Sequence, residues 1–139
     1  MPGSATDYLR QRVLGHTLGF AAFTMPTTIF TGLTTSLPSS GFGGLEVNIS
    51  GYARRSAPYA LVVGRTDLAC NTLTMEWSPA TANWGTVGWF ELWDALTAGN
   101  RLYWGPLVDP ADGVTPISRQ ILTGDIMRLA VNNVTVQAI

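Results

Sequence analysis

The chain has 139 residues, 46% hydrophobic and only 12% charged, with a formal net charge of −1 at pH 7. That length suits one domain, 1–139, with a buried core, and the charged fraction is about half the ~25% usual for a globular domain. Interspersed acids and bases exclude the basic stripe of a nucleic-acid binder, the single Cys70 excludes an intramolecular disulfide framework, and no apolar run approaches the ~20 residues of a membrane span.

The first element is a short helix inside an N-terminal segment, residues 1–19. In "SATDYLRQRVLGHTLG", Thr6 is placed to cap the first turn and Asp7 puts a negative charge on it. Leu9, Val13, Leu14 and Leu18 form a narrow apolar stripe, and Gly19 is the stop signal. The leading "MPGSATDYLRQR" has charges with no apolar stretch behind it, so no secretory leader is expected. From residue 20 onward the character is β. "TTIFTGLTTS" (27–36) is rich in threonine and β-branched residues, and a long loop punctuated by Pro and Gly follows at 37–55. "APYALVVG" (57–64) and "NTLTMEWS" (71–78) read as strands, "PATANWG" (79–85) as a connection. "WGTVGWFELWDA" (84–95) and "RLYWGPL" (101–107) read as a hairpin turning through "LTAGN". After the Asp/Pro/Gly loop at 108–116, "ISRQIL", "DIMRLAV" and "VTVQAI" complete seven or eight short strands. That number and spacing predict an all-β fold, a jelly-roll-like β-sandwich over 20–139 behind the N-terminal helix.

The density of aromatic rings in the predicted hairpin raises two readings. With a period of two, Phe90 and Leu92 share one face, and Trp89, Glu91 and Trp93 the other. Across the turn, Leu102 and Trp104 alternate with Tyr103, so cross-strand ring pairs are possible. Packing on a core and on a second layer, whether helix, sheet or another chain, is the favoured reading. The competing one is a platform on which Trp89, Trp93 and Trp104 stack against sugar rings.

Catalytic constellations are scarce. The one histidine, His16, lies on the helix, away from any nucleophile loop, and one His with one Cys makes a zinc site unusual. "GFGG" lacks the lysine and the strand–helix setting of a phosphate loop. Glu76 and Glu91 lie in neighbouring predicted strands and could in principle make a glycosidase pair, a remote reading because two scattered acids among nine are expected by chance. "DPADG" (109–113) lacks the ligand spacing of a calcium loop and reads as a turn. The expectation is therefore no enzyme, no catalytic residue, no metal and no cofactor. All eight basic residues are arginine, which suits interfaces better than lysine does.

The order of the pieces resembles a group of short bacteriophage virion proteins, variously labelled head decoration (capsid cement) or tail fibre. That group runs through a helix ending in LG, a "YVGL-T-P" strand, an "EV-GGYAR" loop, "FP-AT-WGTV" and "GG-LLYYG-L". Here the corresponding stretches are "YLRQRVLGHTLG", "TTIFTGLTTSLP", "GLEVNISGYARR" and "WSPATANWGTVGWFELWDALTAGNRLYWGPL". Phe30 stands where the group has tyrosine, and 56–70 does not align. The resemblance implies a jelly-roll sandwich with a non-enzymatic role in the particle. Its cement members dimerise and clamp adjacent subunits of the major capsid protein. The expectation is a homodimeric decoration protein on the capsid exterior, made in the host cytoplasm and contacting neither membrane nor nucleic acid. The alternative is a tail fibre or sugar-binding tail module. Candidate contact residues are Arg54 and Arg55 in the long loop, Trp89, Trp93 and Trp104 on the aromatic face, and Leu9 and Val13 on the helix.

Overall fold

A computed structural model describes residues 2–139. Among the described residues, twelve short strands and one helix follow one another. The strands are β1 (Ser4–Ala5), β2 (Phe30–Thr34), β3 (Arg55–Ser56), β4 (Tyr59–Leu61), β5 (Leu68–Asn71), β6 (Met75–Glu76), β7 (Gly85–Val87), β8 (Trp89–Trp93), β9 (Arg101–Pro106), β10 (Arg119–Ile121), β11 (Arg128–Leu129) and β12 (Thr135–Gln137). The helix α1 spans Asp7–Thr17. The fold is all-β with a short N-terminal helix, as the spacing of the strand signals implied. No helix among the described residues is long and apolar enough to cross a membrane.

The main sheet has five strands in the order β1-β9-β8-β2-β3, every pair antiparallel. Three smaller antiparallel units, β12-β5-β4, β10-β7 and β11-β6, supply the rest. One buried cluster joins them. Leu33, Phe90 and Leu92 come from the main sheet, Val87 and Ile121 from β7 and β10, Met75 and Leu129 from β6 and β11, and Val136 from β12. Trp77 and Met127, just beyond the short ribbons, close the same core. Burying each of these large side chains contributes roughly 1.5–3 kcal/mol, which is how strands of two or three residues are held.

The sequence-based hairpin is real, but its first half is divided. Residues 85–87 pair with β10, whereas 89–93 pair with β2 and β9, so the chain changes sheets at Gly88. A break of this kind is how a strand turns a corner between packed sheets. The expected strand 71–78 is likewise two pieces. Its first residue, Asn71, ends β5, and the chain turns before β6 begins at Met75. Asn71 explains the break. Its side-chain amide donates to Leu73 O and Ala130 O at 3.0 Å each, and its Oδ1 accepts from Val134 N at 3.1 Å. Side-chain bonds of this kind compete with continued strand pairing, and β5 ends at this fully buried residue.

At the N-terminus Thr6 caps α1 as expected, its hydroxyl accepting from Leu9 N at 3.2 Å, and Gly19 follows the helix at φ +81°. The apolar stripe is only half used. Leu9 is buried against Ala5 and Leu102 with Val13 packed beside it, whereas Leu14 and Leu18 are exposed. The helix therefore meets β9 through its first two turns alone. Ahead of it, Gly3 lies between two sheets: its N–H donates to Thr135 O at 2.7 Å, its carbonyl accepts from Gln137 N at 2.9 Å, and β1 pairs with β9.

Candidate interaction surface

The aromatic face of β8 is built over by the chain itself. In the hairpin register Glu91 lies opposite Trp104 and Leu92 opposite Tyr103, so no two rings oppose each other. Among the described residues the ring–ring contact is elsewhere, Tyr52 edge-on to Trp84 at 5.5 Å. What covers Glu91 and Trp93 is the long loop, whose residues 46–47 run beside β2. Gly32 makes room for it: a Cβ there would lie 2.7 Å from Glu46 Oε2.

Arg54 is the clamp. Its Nε and Nη2 form a fork to the Glu46 carboxylate, at 3.0 Å each, and its Nη1 donates to Ala95 O and Ala98 O at 3.0 and 2.8 Å. The same guanidinium stacks over the Trp93 ring, 3.8 Å from its centroid. Tyr52 joins the group, donating to Glu46 at 2.9 Å while accepting from Leu33 N. Burial, with the Glu46 charge beside it, pushes the Tyr52 phenol far above its ordinary value, so it remains a donor. Arg54 is 8% exposed, and its contacts lie within the chain.

Glu91, 1% exposed, is the second buried charge on this face. It accepts from Gly44 N at 3.0 Å and pairs with Arg101 at 3.4 Å. Burial raises its pKa, opposed by the Gly44 N–H and by Arg101. The glycines of "GFGG" thus serve close approach: Gly44 brings a backbone N–H to a buried carboxylate, and a Cβ on Gly43 would sit 3.2 Å from Glu91 Oε2. Glu76, by contrast, lies at the surface and is held by Arg128 across the β6–β11 ribbon. The two glutamates lie in different sheets under different arginines.

The remaining candidate residues are scattered. Arg55, in β3, donates to Ser78 at 3.3 Å. Trp89 is half-buried beside Pro106 and Ile117, in a shallow pocket of about 270 Å³. Trp104, also half-buried, donates its indole N–H to Ser40 Oγ at 3.3 Å. Leu9 is in the small cluster under α1 and Val13 packs on its rim. The structure brings Arg54 to Trp93 and Val13 to the cluster of Leu9, and sets the others apart.

The surface offered outward lies elsewhere. The loop that follows β2 carries Leu37, Phe42 and Leu45, each at least two-thirds exposed. This loop is tethered at several points, by Thr35 N to Leu45 O, Leu45 N to Ser36 Oγ, Gly44 N to Glu91 and Asp7 N to Ser40 O. The segment beyond α1 presents Leu18, Phe20 and Met25, and His16 Nδ1 accepts from Phe23 N at 3.2 Å to hold it back on the helix. The "DPADG" stretch closes on itself: Asp109 accepts from Ala111 N, and Asp112 from Val114 N and Thr115 N. The Thr115 hydroxyl, with the Thr115 and Val114 amides, holds the Asp112 carboxyl at about 2, below the usual range. No group of metal-ligating side chains occurs among the described residues.

The sequence matches the family model described as podophage GP4 fiber I protein gp80 over residues 4–137. A comparison with curated proteins finds no match. The match runs from β1 to the end of β12 and so takes in the clamp, the tethered loop and both cores. The chain belongs to the podophage GP4 fiber I protein gp80 family and is a structural phage protein.

Proposed function

We propose that the chain is a compact module of the virion's fibre apparatus, non-enzymatic and held in the particle by broad contacts with neighbouring proteins. The match to a fibre-protein family over residues 4–137 carries this reading. Three structural features support it. The charged groups on the aromatic face are engaged internally, around Glu46 and Glu91. Three exposed large apolar side chains, Leu37, Phe42 and Leu45, stand on one tethered loop, and rigid apolar projections suit permanent contacts. The two glutamates that sequence alone pairs for hydrolysis stand under separate arginines.

A second reading is a homodimeric decoration protein bridging major capsid subunits on the outer shell. Its support is shape. Strands of two to six residues around one core, with one helix of 11 residues, give a bead and not a shaft. Electron cryo-microscopy of virions carrying an epitope-tagged chain, with copy number from quantitative mass spectrometry, separates the two. The fibre reading expects label confined to the tail, in few copies. Label over the whole shell in fixed ratio to the capsid protein overturns it in favour of the second reading, and a virion without the chain overturns both.

A further inference from the structure

Strand β4 ends the sheet β12-β5-β4, and no strand lies beside its outer edge among the described residues. The bonds to β5 show which groups face outward. Thr72 N donates to Pro58 O and Val62 N to Leu68 O, so residues 58, 60 and 62 are the ones bonded to β5. Bonding direction alternates along an antiparallel strand, which turns the backbone N–H and C=O of Tyr59 and Leu61 to the free edge. The chain stays extended through Val63. Arg65 N donates to Val62 O, and Gly64 takes the positive φ, +79°, that the third residue of a type II turn requires. The edge therefore presents a row of backbone groups from Tyr59 to Val63 that lack a partner among the described residues.

Open edges template pairing with another chain, and native sequences blunt them with charge or a covering segment. Several edges here are blunted in these ways. β3 carries Arg55, β10 carries Arg119, β11 carries Arg128, and Gly3 covers β12 through bonds to Thr135 and Gln137. β4 has neither charge nor cover. No residue from Ser56 to Gly64 is charged, and Leu61 and Val63 are 60% and 98% exposed.

A second copy of the same strand fits this edge. Placed antiparallel across a two-fold axis, with Leu61 facing Leu61 of the other copy, the register sets each Tyr59 opposite a Val63. Every outward backbone group then meets another outward group. The side chains match as well. The two leucines meet on the axis, and each Val63 comes over a Tyr59, beside the groove of about 560 Å³ that Tyr59 lines with Ile29, Pro58 and Leu73. That groove has no charged side chain in its lining, and the nearest charge on the edge, Arg65, is paired with Asp67 at 2.8 Å, so no like charges are forced together. A strand from a different protein would need its own match in register and side chains, whereas the two-fold pairing has both by symmetry.

We propose that β4 pairs with β4 of a second copy, joining two three-stranded sheets into one of six strands. The pairing is independent of where the chain stands in the virion.

Sedimentation equilibrium of the full chain, with amide hydrogen exchange followed by NMR, tests it. A dimer is expected at micromolar concentration, with the Tyr59 and Leu61 amides protected in the dimer and unprotected on dilution to the monomer. Val63→Lys, at a side chain 98% exposed, is expected to keep the folded spectrum and to weaken the dimer about tenfold. A chain that stays monomeric up to millimolar concentration, a trimer, a dimer whose Tyr59 and Leu61 amides exchange freely, or a dimer of unchanged strength in Val63→Lys overturns the proposal. Protection of those amides only when a different virion protein is added overturns it too, since the edge then takes a foreign strand.

Discussion

At the scale of single residues, charge buried under a loop holds the aromatic face closed. The Arg54 fork to Glu46 depends on planar geometry as well as on charge, because it also reaches two carbonyls and covers Trp93. Lysine has one ammonium and cannot make that pattern. Arg54→Lys is therefore expected to lose about 2–3 kcal/mol of unfolding free energy, below the ~3–5 kcal/mol for breaking a fully buried pair, because Glu46 retains some exposure. Urea denaturation measures this, and a lysine variant as stable as the parent would show that charge alone suffices. Glu91 makes a prediction about pH. Burial raises its folded pKa above the ordinary 4.5, so the folded chain keeps a proton that the unfolded chain has released. The stability this confers is complete below the ordinary value and is lost as pH rises through the folded one. Glu91→Gln preserves an acceptor for Gly44 N and removes the titration. The stability difference, parent minus variant, is expected to decline as pH rises from about 4.5. Denaturation curves at a series of pH values would show it, and parallel curves would refute it. Neither arginine's role was legible in sequence: Arg54 and Arg55 are adjacent and alike there, and only the folded loop gives Arg54 a partner for each nitrogen.

At the scale of elements, the N-terminal segment is attached through a short strand and one end of a helix. Strand β1 has two residues, and α1 is anchored through Leu9 on Ala5 and Leu102. Its seat needs backbone against backbone. A Cβ on Gly105 would lie 2.5 Å from Gly3 Cα and 3.2 Å from the Phe90 ring. Gly105→Ala is expected to displace the segment, at about 1–3 kcal/mol as for other overpacked sites. The displacement should appear as faster amide exchange at Ala5 and Thr6 and as new proteolysis ahead of Met25. Unchanged exchange at those amides would mean that the segment is held by other means. The cap at Thr6 and the stop at Gly19 were readable because both are local hydrogen-bonding and backbone preferences. The divisions at Gly88 and after Asn71 were not, because a glycine within an apolar run reads equally as strand or corner until the partner strands are known. The role of Asn71 depends on Ala130 and Val134, some sixty residues away.

At the scale of the whole molecule, four antiparallel units share one core, and the loop of residues 37–55 is folded onto the main sheet instead of standing away from it. That arrangement moves the outward surface from the tryptophans to Leu37, Phe42 and Leu45, and it buries Arg101 beside Glu91. The sequence by itself determined the all-β class, the capped N-terminal helix, the β8–β9 hairpin and the resemblance to phage virion proteins. Each of these rests on short-range patterns: period two, cap chemistry, turn residues and order along the chain. Only the tertiary structure decided which face of the hairpin is exposed and which carboxylate each buried arginine meets. Those properties depend on groups that meet across forty to ninety residues of chain, as Gly44 meets Glu91 and Asp7 faces Arg101, and no local pattern encodes which distant group arrives.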